Sequence, residues 1–191
     1  MKSLSAKIIF HVFHKIGVSK RINTSFWKFL GLKIGQNTYI GKNTKFIWPH
    51  QVKLGNNCRL EHSIYFHYDG IYSEGPSICI GNDVFIGNNT EFNITDRITI
   101  GSNCLIAAGC RFVDHNHGFE KNSLIRSQLA PKSEIILEED VWLGCNVVVL
   151  MGAKIRKGAV IAAGSIVNKD VPSYEIWGGV PAKKIGKRLT I

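Results

Sequence analysis

Residues 137–166 read Leu137-Glu-Glu-Asp-Val-Trp, Leu143-Gly-Cys-Asn-Val-Val, Val149-Leu-Met-Gly-Ala-Lys, Ile155-Arg-Lys-Gly-Ala-Val and Ile161-Ala-Ala-Gly-Ser-Ile. An aliphatic residue returns every six positions, and a small or β-branched residue holds the fifth place. The same period runs through Ile34 and Ile40, then after a break Leu54 and Leu60. It continues through Ile80, Ile86 and Phe92, and through Ile100, Ile106 and Phe112. Gly or another small residue follows the aliphatic one in most units. A six-residue unit is a short strand plus a turn, and three units close one triangular coil. The aliphatic residue points inward onto its equivalent in the next coil, and the small fifth residue fits the crowded corner. Gly, Asn and Asp tolerate the positive φ of the turns. One unit cannot bury its apolar side alone, so the coils must stack into an all-β solenoid. A sandwich of short strands would place turn signals every 8–12 residues instead.

The chain of 191 residues holds one domain with a real core. Its composition, 45% hydrophobic and 10% aromatic, excludes disorder. The formal charge of +10 invites a nucleic-acid reading, but the charge is not spread evenly. Residues 1–33 hold seven basic residues and no acid, and residues 183–191 hold four basic residues and no acid. The middle of the chain is close to neutral. No nucleic-acid motif or stacking platform accompanies the basic ends, so a nucleic-acid partner is not expected. Residues 4–18 place Leu4, Ile8, Ile9, Val12, Phe13 and Ile16 near helical spacing, and a short second helix is expected at Thr24-Ser-Phe-Trp-Lys-Phe-Leu30. This basic amphipathic segment, 1–33, reads as a helical cap on the first coil or as a peripheral membrane contact through residues 1–20. Capping is the plainer of the two. The N-terminus lacks a cleavage site and reads as retained. Five cysteines (58, 79, 104, 110 and 145) without a CxxC spacing fit a reducing, cytoplasmic setting.

The repeat, with Ile-Val-Asn-Lys-Asp-Val-Pro at 166–172 and Gly-Gly-Val-Pro-Ala-Lys-Lys-Ile at 178–185, resembles the hexapeptide-repeat acyltransferases. Within them it is most similar to galactoside and maltose O-acetyltransferases and to acetyltransferases of surface-polysaccharide biosynthesis. The resemblance spans roughly 34–188. It implies a left-handed parallel β-helix, a homotrimer, and acetyl-CoA bound between neighbouring subunits. The acetyl group would pass directly to a sugar hydroxyl without an acyl-enzyme.

The repeats halt after Phe112 and resume near Leu137, leaving an extended loop at 113–136 with Val-Asp-His-Asn-His-Gly-Phe at its root. Long loops in a compact solenoid are usually functional. Acetyl transfer needs a base working near neutral pH, and His115 and His117 are the candidates. Gap-free alignment from Ile100 puts the family's catalytic histidine at His117, with His115 supporting it or capping the turn. The resemblance puts the acyl-CoA contacts at Cys145, Ala163, Asn168, Lys169 and Lys183. Small residues there let the backbone approach the pantetheine, and the lysines meet phosphate. Cys145 stands where a small hydroxyl is usual, and Lys183 where a related enzyme carries Arg. Acceptor contacts are sought at Asn89 and Asn93, and in the Tyr-rich interruption at 66–76. No metal is expected. Two readings compete with the O-acetyltransferase: an N-acetyltransferase of an amino sugar or xenobiotic, and, from another class, a γ-carbonic-anhydrase-like zinc site using His62 and His67, or a non-catalytic scaffold.

Overall fold

The computed structural model describes residues 24–69 and 73–189. Its strands form three sheets, one for each face of a triangular prism. The first face stacks Lys33–Ile34, Val52–Leu54, Ile78–Ile80, Ile98–Ile100, Ile135–Leu137 and Lys154–Ile155. The second stacks Tyr39–Ile40, Arg59–Leu60, Phe85–Ile86, Leu105–Ile106, Trp142–Leu143 and Val160–Ile161. It then closes with Glu175–Gly178 and the antiparallel Lys183–Lys187. The third stacks Lys45–Phe46, Tyr65–Tyr68, Glu91–Ile94, Arg111–Val113, Val148–Leu150 and Ile166–Val167. All pairings but the last on the second face are parallel, and the result is a left-handed parallel β-helix of hexapeptide repeats.

Register explains the six-residue period. Ile80 pairs with Ile100 and Ile100 with Leu137 on the first face, while Ile86, Ile106 and Leu143 pair in turn on the second. Side chains alternate across each strand, so these residues all point inward and are fully buried. On the third face the inward row is aromatic in the first four coils, with Val149 and Val167 continuing it below. Phe46, Phe66, Phe92 and Phe112 stack with centroids 4.8, 4.8 and 4.9 Å apart. Trp27, on the short helix Thr24–Phe29, meets Phe46 edge-on at 5.0 Å and lids this column. The helix is thus the N-terminal cap. The expected helix over 4–18 and the membrane contact through 1–20 fall outside the described residues. Among the described residues no helix is long and apolar enough to cross a membrane.

Two readings of the repeat are corrected. The break after Ile40 starts later than it reads, because Phe46 completes the first coil on the third face and the period is interrupted only at the turn around Pro49–Gln51. The interruption assigned to 66–76 begins as regular strand, since Phe66 is an inward residue of Tyr65–Tyr68. Phe46 and Phe66 hold the slot that Phe92 and Phe112 hold in the next two coils. The departures from regular coiling instead share one corner, where the third face passes to the first. There lie the turn Pro49–Gln51, the exit of the chain after Tyr68 and its return at Ser77, the Thr95-Asp96-Arg97 turn and the long loop. That loop occupies 114–134, because strands reach Val113 and restart at Ile135.

Candidate active site

The corner between the third and first faces carries the loop root. Phe112 points inward, Val113 outward and Asp114 inward, by simple strand alternation. Asp114 is a carboxylate in a core slot, fully buried, and burial of such a group requires hydrogen bonds. It accepts three from the turn one coil above. The backbone N–H of Thr95 reaches Oδ1 at 2.8 Å, and those of Asp96 and Arg97 reach Oδ2 at 2.7 and 2.9 Å. The extra residues of that turn thus close on a side chain from the next coil.

His115 follows directly. Its Nδ1 lies 3.0 Å from Thr95 Oγ1 and 3.2 Å from Asp114 Oδ1. Nε2 has no hydrogen-bond partner among the described residues. The ring is largely buried and forms a wall of a cavity of about 330 Å³ with Val113, Asn116, Leu150, Met151 and Asn168. No lining residue carries a fixed charge. His117, two residues on, is exposed, does not line this cavity, and its ring has no partner among the described residues.

The loop leaves the cavity as a closed arm. His115 and Lys132 form an antiparallel bridge at its base, and the Asn116 N–H donates to the Pro131 carbonyl at 2.9 Å. Lys132 pairs with Asp96 at 3.6 Å. Farther out, Gln128 accepts from the Glu120 N–H and donates to the Glu120 and Ser123 carbonyls. The arm presents Phe119, Leu124, Ile125 and Leu129 to solvent, Leu129 at 93% exposure.

Other sequence-predicted residues fall on three different parts of the prism. Asn168 lies in the His115 cavity. Cys145 and Ala163 lie on the opposite edge of the third face, at the corner with the second. That corner is narrow. A Cβ on Gly144 would sit 2.6 Å from the Ala163 nitrogen, whereas Gly164, at φ +70°, faces open space. With Ala107, Ala108 and Gly109 above, small residues run down this corner parallel to the axis, with Cys145, Ala163 and Gly164 exposed and Gly144 buried. Lys169 and Lys183 belong to the C-terminal end. The Lys169 ammonium lies 5.3 Å over the Trp177 ring, and Lys183 is exposed with no acidic partner among the described residues. Its neighbours are engaged, Lys184 with Glu175 at 2.6 Å and Arg188 with Asp140 at 2.7 Å. The Lys184 ammonium, helped by the Trp177 indole N–H, holds the Glu175 carboxyl below its ordinary range.

Asn89 holds φ at +58° in a turn, a conformation that favours asparagine there. Asn93 lies outward on the third face in register with Val113, one coil above the cavity wall. Its Oδ1 is buried and has no hydrogen-bond partner among the described residues. His67 pairs with Asn93 in the next coil and stacks on Tyr65 at 5.5 Å, while His62 Nδ1 accepts the Lys42 N–H at another corner. Among the described residues no group of three His, Cys, Asp or Glu side chains is placed to hold a metal ion. Burial pushes the Cys104 and Cys110 thiols up to about 11, so both are packing residues rather than nucleophiles. Sequence reasoning missed Asp114 and Thr95. The available signal was an acidic residue two places after Phe112, in a slot that strand alternation sends inward.

A family model described as the hexapeptide repeat of succinyl-transferase matches residues 31–64, 77–111 and 134–169, more than half of the chain. A chloramphenicol acetyltransferase of Klebsiella aerogenes is 53% identical over 55 residues, 29% of this chain and 26% of that protein. A 2,3,4,5-tetrahydropyridine-2,6-dicarboxylate N-acetyltransferase of Staphylococcus aureus is 49% identical over 53 residues, 28% of this chain and 22% of that protein. The matched stretch is thus about a quarter of the length of these curated relatives. Among solved structures, AntD, an N-acyltransferase from Bacillus cereus in complex with dTDP and 3-hydroxybutyryl-CoA, superposes with a TM-score of 0.77. Identity is 20%, over 88% of this chain and 89% of that one. A hexapeptide-repeat acetyltransferase of Vibrio cholerae complexed with acetyl coenzyme A superposes with a TM-score of 0.62. Identity is again 20%, over 97% of this chain and 88% of that one.

Proposed function

Because the chain belongs to the hexapeptide-repeat family and folds as its parallel β-helix, we propose that it transfers acetyl from acetyl-CoA to a sugar hydroxyl, with His115 as general base. The observation that carries this reading is the His115 cavity. One ring nitrogen is held from behind, the other is open, and the walls are uncharged. Val113, Asn116, Leu150, Met151 and Asn168 offer amide hydrogen bonds and apolar contact but no carboxylate to receive a cationic amine. A neutral hydroxyl suits such a site. Asn93, with its unpartnered carbonyl oxygen one coil above, is the acceptor contact on the same face. The acceptor is of the surface-polysaccharide or glycoconjugate kind, as the tail motifs suggest.

In the reaction the acceptor hydroxyl gives its proton to the open nitrogen of His115 while its oxygen attacks the thioester carbonyl carbon. The C–S bond then breaks, and the leaving thiolate takes that proton back from the ring. Base catalysis of this kind contributes 10²–10⁴-fold, with most of the remainder coming from holding the two substrates together. The small-residue corner is the proposed trough for the donor. Cys145, Ala163 and Gly164 are exposed there with little side chain to keep the pantetheine arm away, and Lys183, without an acidic partner among the described residues, suits its phosphates.

The trough runs parallel to the axis. A thioester lying in it stays one face away from His115 of its own copy, about 10 Å for a three-residue strand. That is beyond hydrogen-bond reach, so the site is completed by a second copy of the chain. Two uncovered apolar surfaces support assembly. One is the arm with Phe119, Leu124, Ile125 and Leu129. The other is the outward row of the second face, where Phe85, Leu105, Trp142, Val160 and Ile176 follow one another in register. The family resemblance supports three copies.

The second reading, N-acylation, is favoured by the 49% identity to the Staphylococcus aureus N-acetyltransferase. A free-thiol assay with acetyl-CoA and paired acceptors, neutral sugars against amino sugars, separates the two. Thiol release with neutral sugars and an alkali-labile product is expected. Release confined to amino sugars supports the second reading, and failure to bind acetyl-CoA in calorimetry overturns both.

A further inference from the structure

The buried polar knot behind His115 has more parts than packing requires. Asp114 spends three of its acceptor positions on the turn that carries Thr95, and Thr95 Oγ1 returns to the ring of the residue after Asp114. The turn and the ring are therefore built on one carboxylate. We infer that Thr95 and Asp114 are positioning residues that lock neutral His115 as the Nδ1–H tautomer, with the Nε2 lone pair facing the cavity.

The inference rests on the reading of His115 as base, and its own support is chemical. A hydroxyl beside Nδ1 does not by itself choose a tautomer, since Thr95 Oγ1 can donate or accept. An ionised carboxylate can only accept. With Asp114 Oδ1 at 3.2 Å, an unprotonated Nδ1 would set two lone pairs against each other in a buried space. The proton therefore sits on Nδ1, shared between Oδ1 and Thr95 Oγ1, and Nε2 is left as acceptor. When Nε2 takes the substrate proton, the imidazolium forms beside a carboxylate already in place and already desolvated. Thr95 fixes the ring plane from the adjacent coil, and the Lys132–Asp96 pair ties the same turn to the base of the arm. The ring thus cannot rotate away without opening the turn.

Two measurements test this. The first is the ¹⁵N spectrum of histidine-labelled full chain above the ring's titration, with His115 assigned by the signal lost in His115→Gln. Nδ1–H with a bare Nε2 is expected, and a proton on Nε2 overturns the inference. The second uses Thr95→Val, which keeps shape and backbone and removes only the hydroxyl, beside Thr95→Ser, which restores it. Thr95→Val is expected to lower kcat about tenfold with KM for both substrates unchanged, as loss of one orienting hydrogen bond implies. Thr95→Ser is expected to recover most of that loss. Wild-type kcat in Thr95→Val, or equal impairment in both variants, overturns the role of Thr95. Full activity of His115→Ala with the Nδ1–H tautomer intact in the wild-type chain would overturn the base assignment and not the tautomer.

Discussion

The two long edges of the third face are made from the same repeat and are put to opposite use. At the edge shared with the first face the chain inserts residues, buries a carboxylate and pins a histidine with hydrogen bonds from two coils. At the edge shared with the second face the lower coils do the reverse. Lys42, His62 and Asn88 occupy this edge in the upper coils, and Ala108, Cys145 and Ala163 replace them below. In the upper coils the polar side chains serve the solenoid itself, as where His62 Nδ1 accepts the Lys42 N–H at 3.0 Å. In the lower coils small residues take their place. In the proposed reaction one edge moves the proton and the other receives the long, flexible donor. On that proposal, their separation across a face calls for a second copy.

The largest expected effect breaks the first edge alone. His115→Ala is expected to lower kcat by at least about 10², while His117→Ala stays within about threefold of wild type. Steady-state thiol release checks both, and the reverse order would return the base to His117. Next is the small-residue edge. Ala163→Leu fills the trough and is expected to raise KM for acetyl-CoA on the order of tenfold, with the acceptor KM unchanged. Asn88→Leu, on the same edge three coils up, should leave both constants alone. Equal effects of the two would mean that the trough is not the donor's berth. Lys183→Ala is expected to weaken CoA binding about threefold, with a shallower dependence on salt than wild type, read by calorimetry. The smallest effect concerns the scaffold. The Lys157 backbone N–H, with Arg156 beside it, holds the Glu138 carboxyl below its ordinary range. A depressed carboxyl stabilises the fold above its unfolded value of about 4.3 and loses that contribution as pH falls through the folded one. The stability gap between wild type and Glu138→Gln should therefore narrow below about pH 4, as followed by denaturation midpoints.

The solenoid was legible because its period is set by burial. Ile80, Ile100 and Leu137 must stack, and any residue that must stack declares itself in the sequence. Phe46 and Phe66 were passed over because each is the last inward residue before an irregular corner, so no aliphatic residue follows six places on, although Phe92 and Phe112 hold the same slot. The small-residue edge was legible in part, since small residues stand out against the repeat. The base was harder. Histidines at i and i+2 on an extended strand share a face, but the chain leaves the strand after Asp114, and only the turn at Thr95 decides which ring is held. That turn lies one coil away and some 20 residues earlier in the chain. No local pattern links the two, although an aspartate in an inward slot marked the place.

The claim that the two edges act together from different copies is tested most directly by complementation. His115→Ala lacks the base but keeps the trough, and Ala163→Trp blocks the trough but keeps the base. Each should be inactive alone. Co-expressed with different tags and purified through both, the mixed assembly should regain thiol release well above either parent, because one interface unites an intact His115 with an intact trough. A mixed assembly as inactive as its parents would place both halves of the site within one copy and contradict the account.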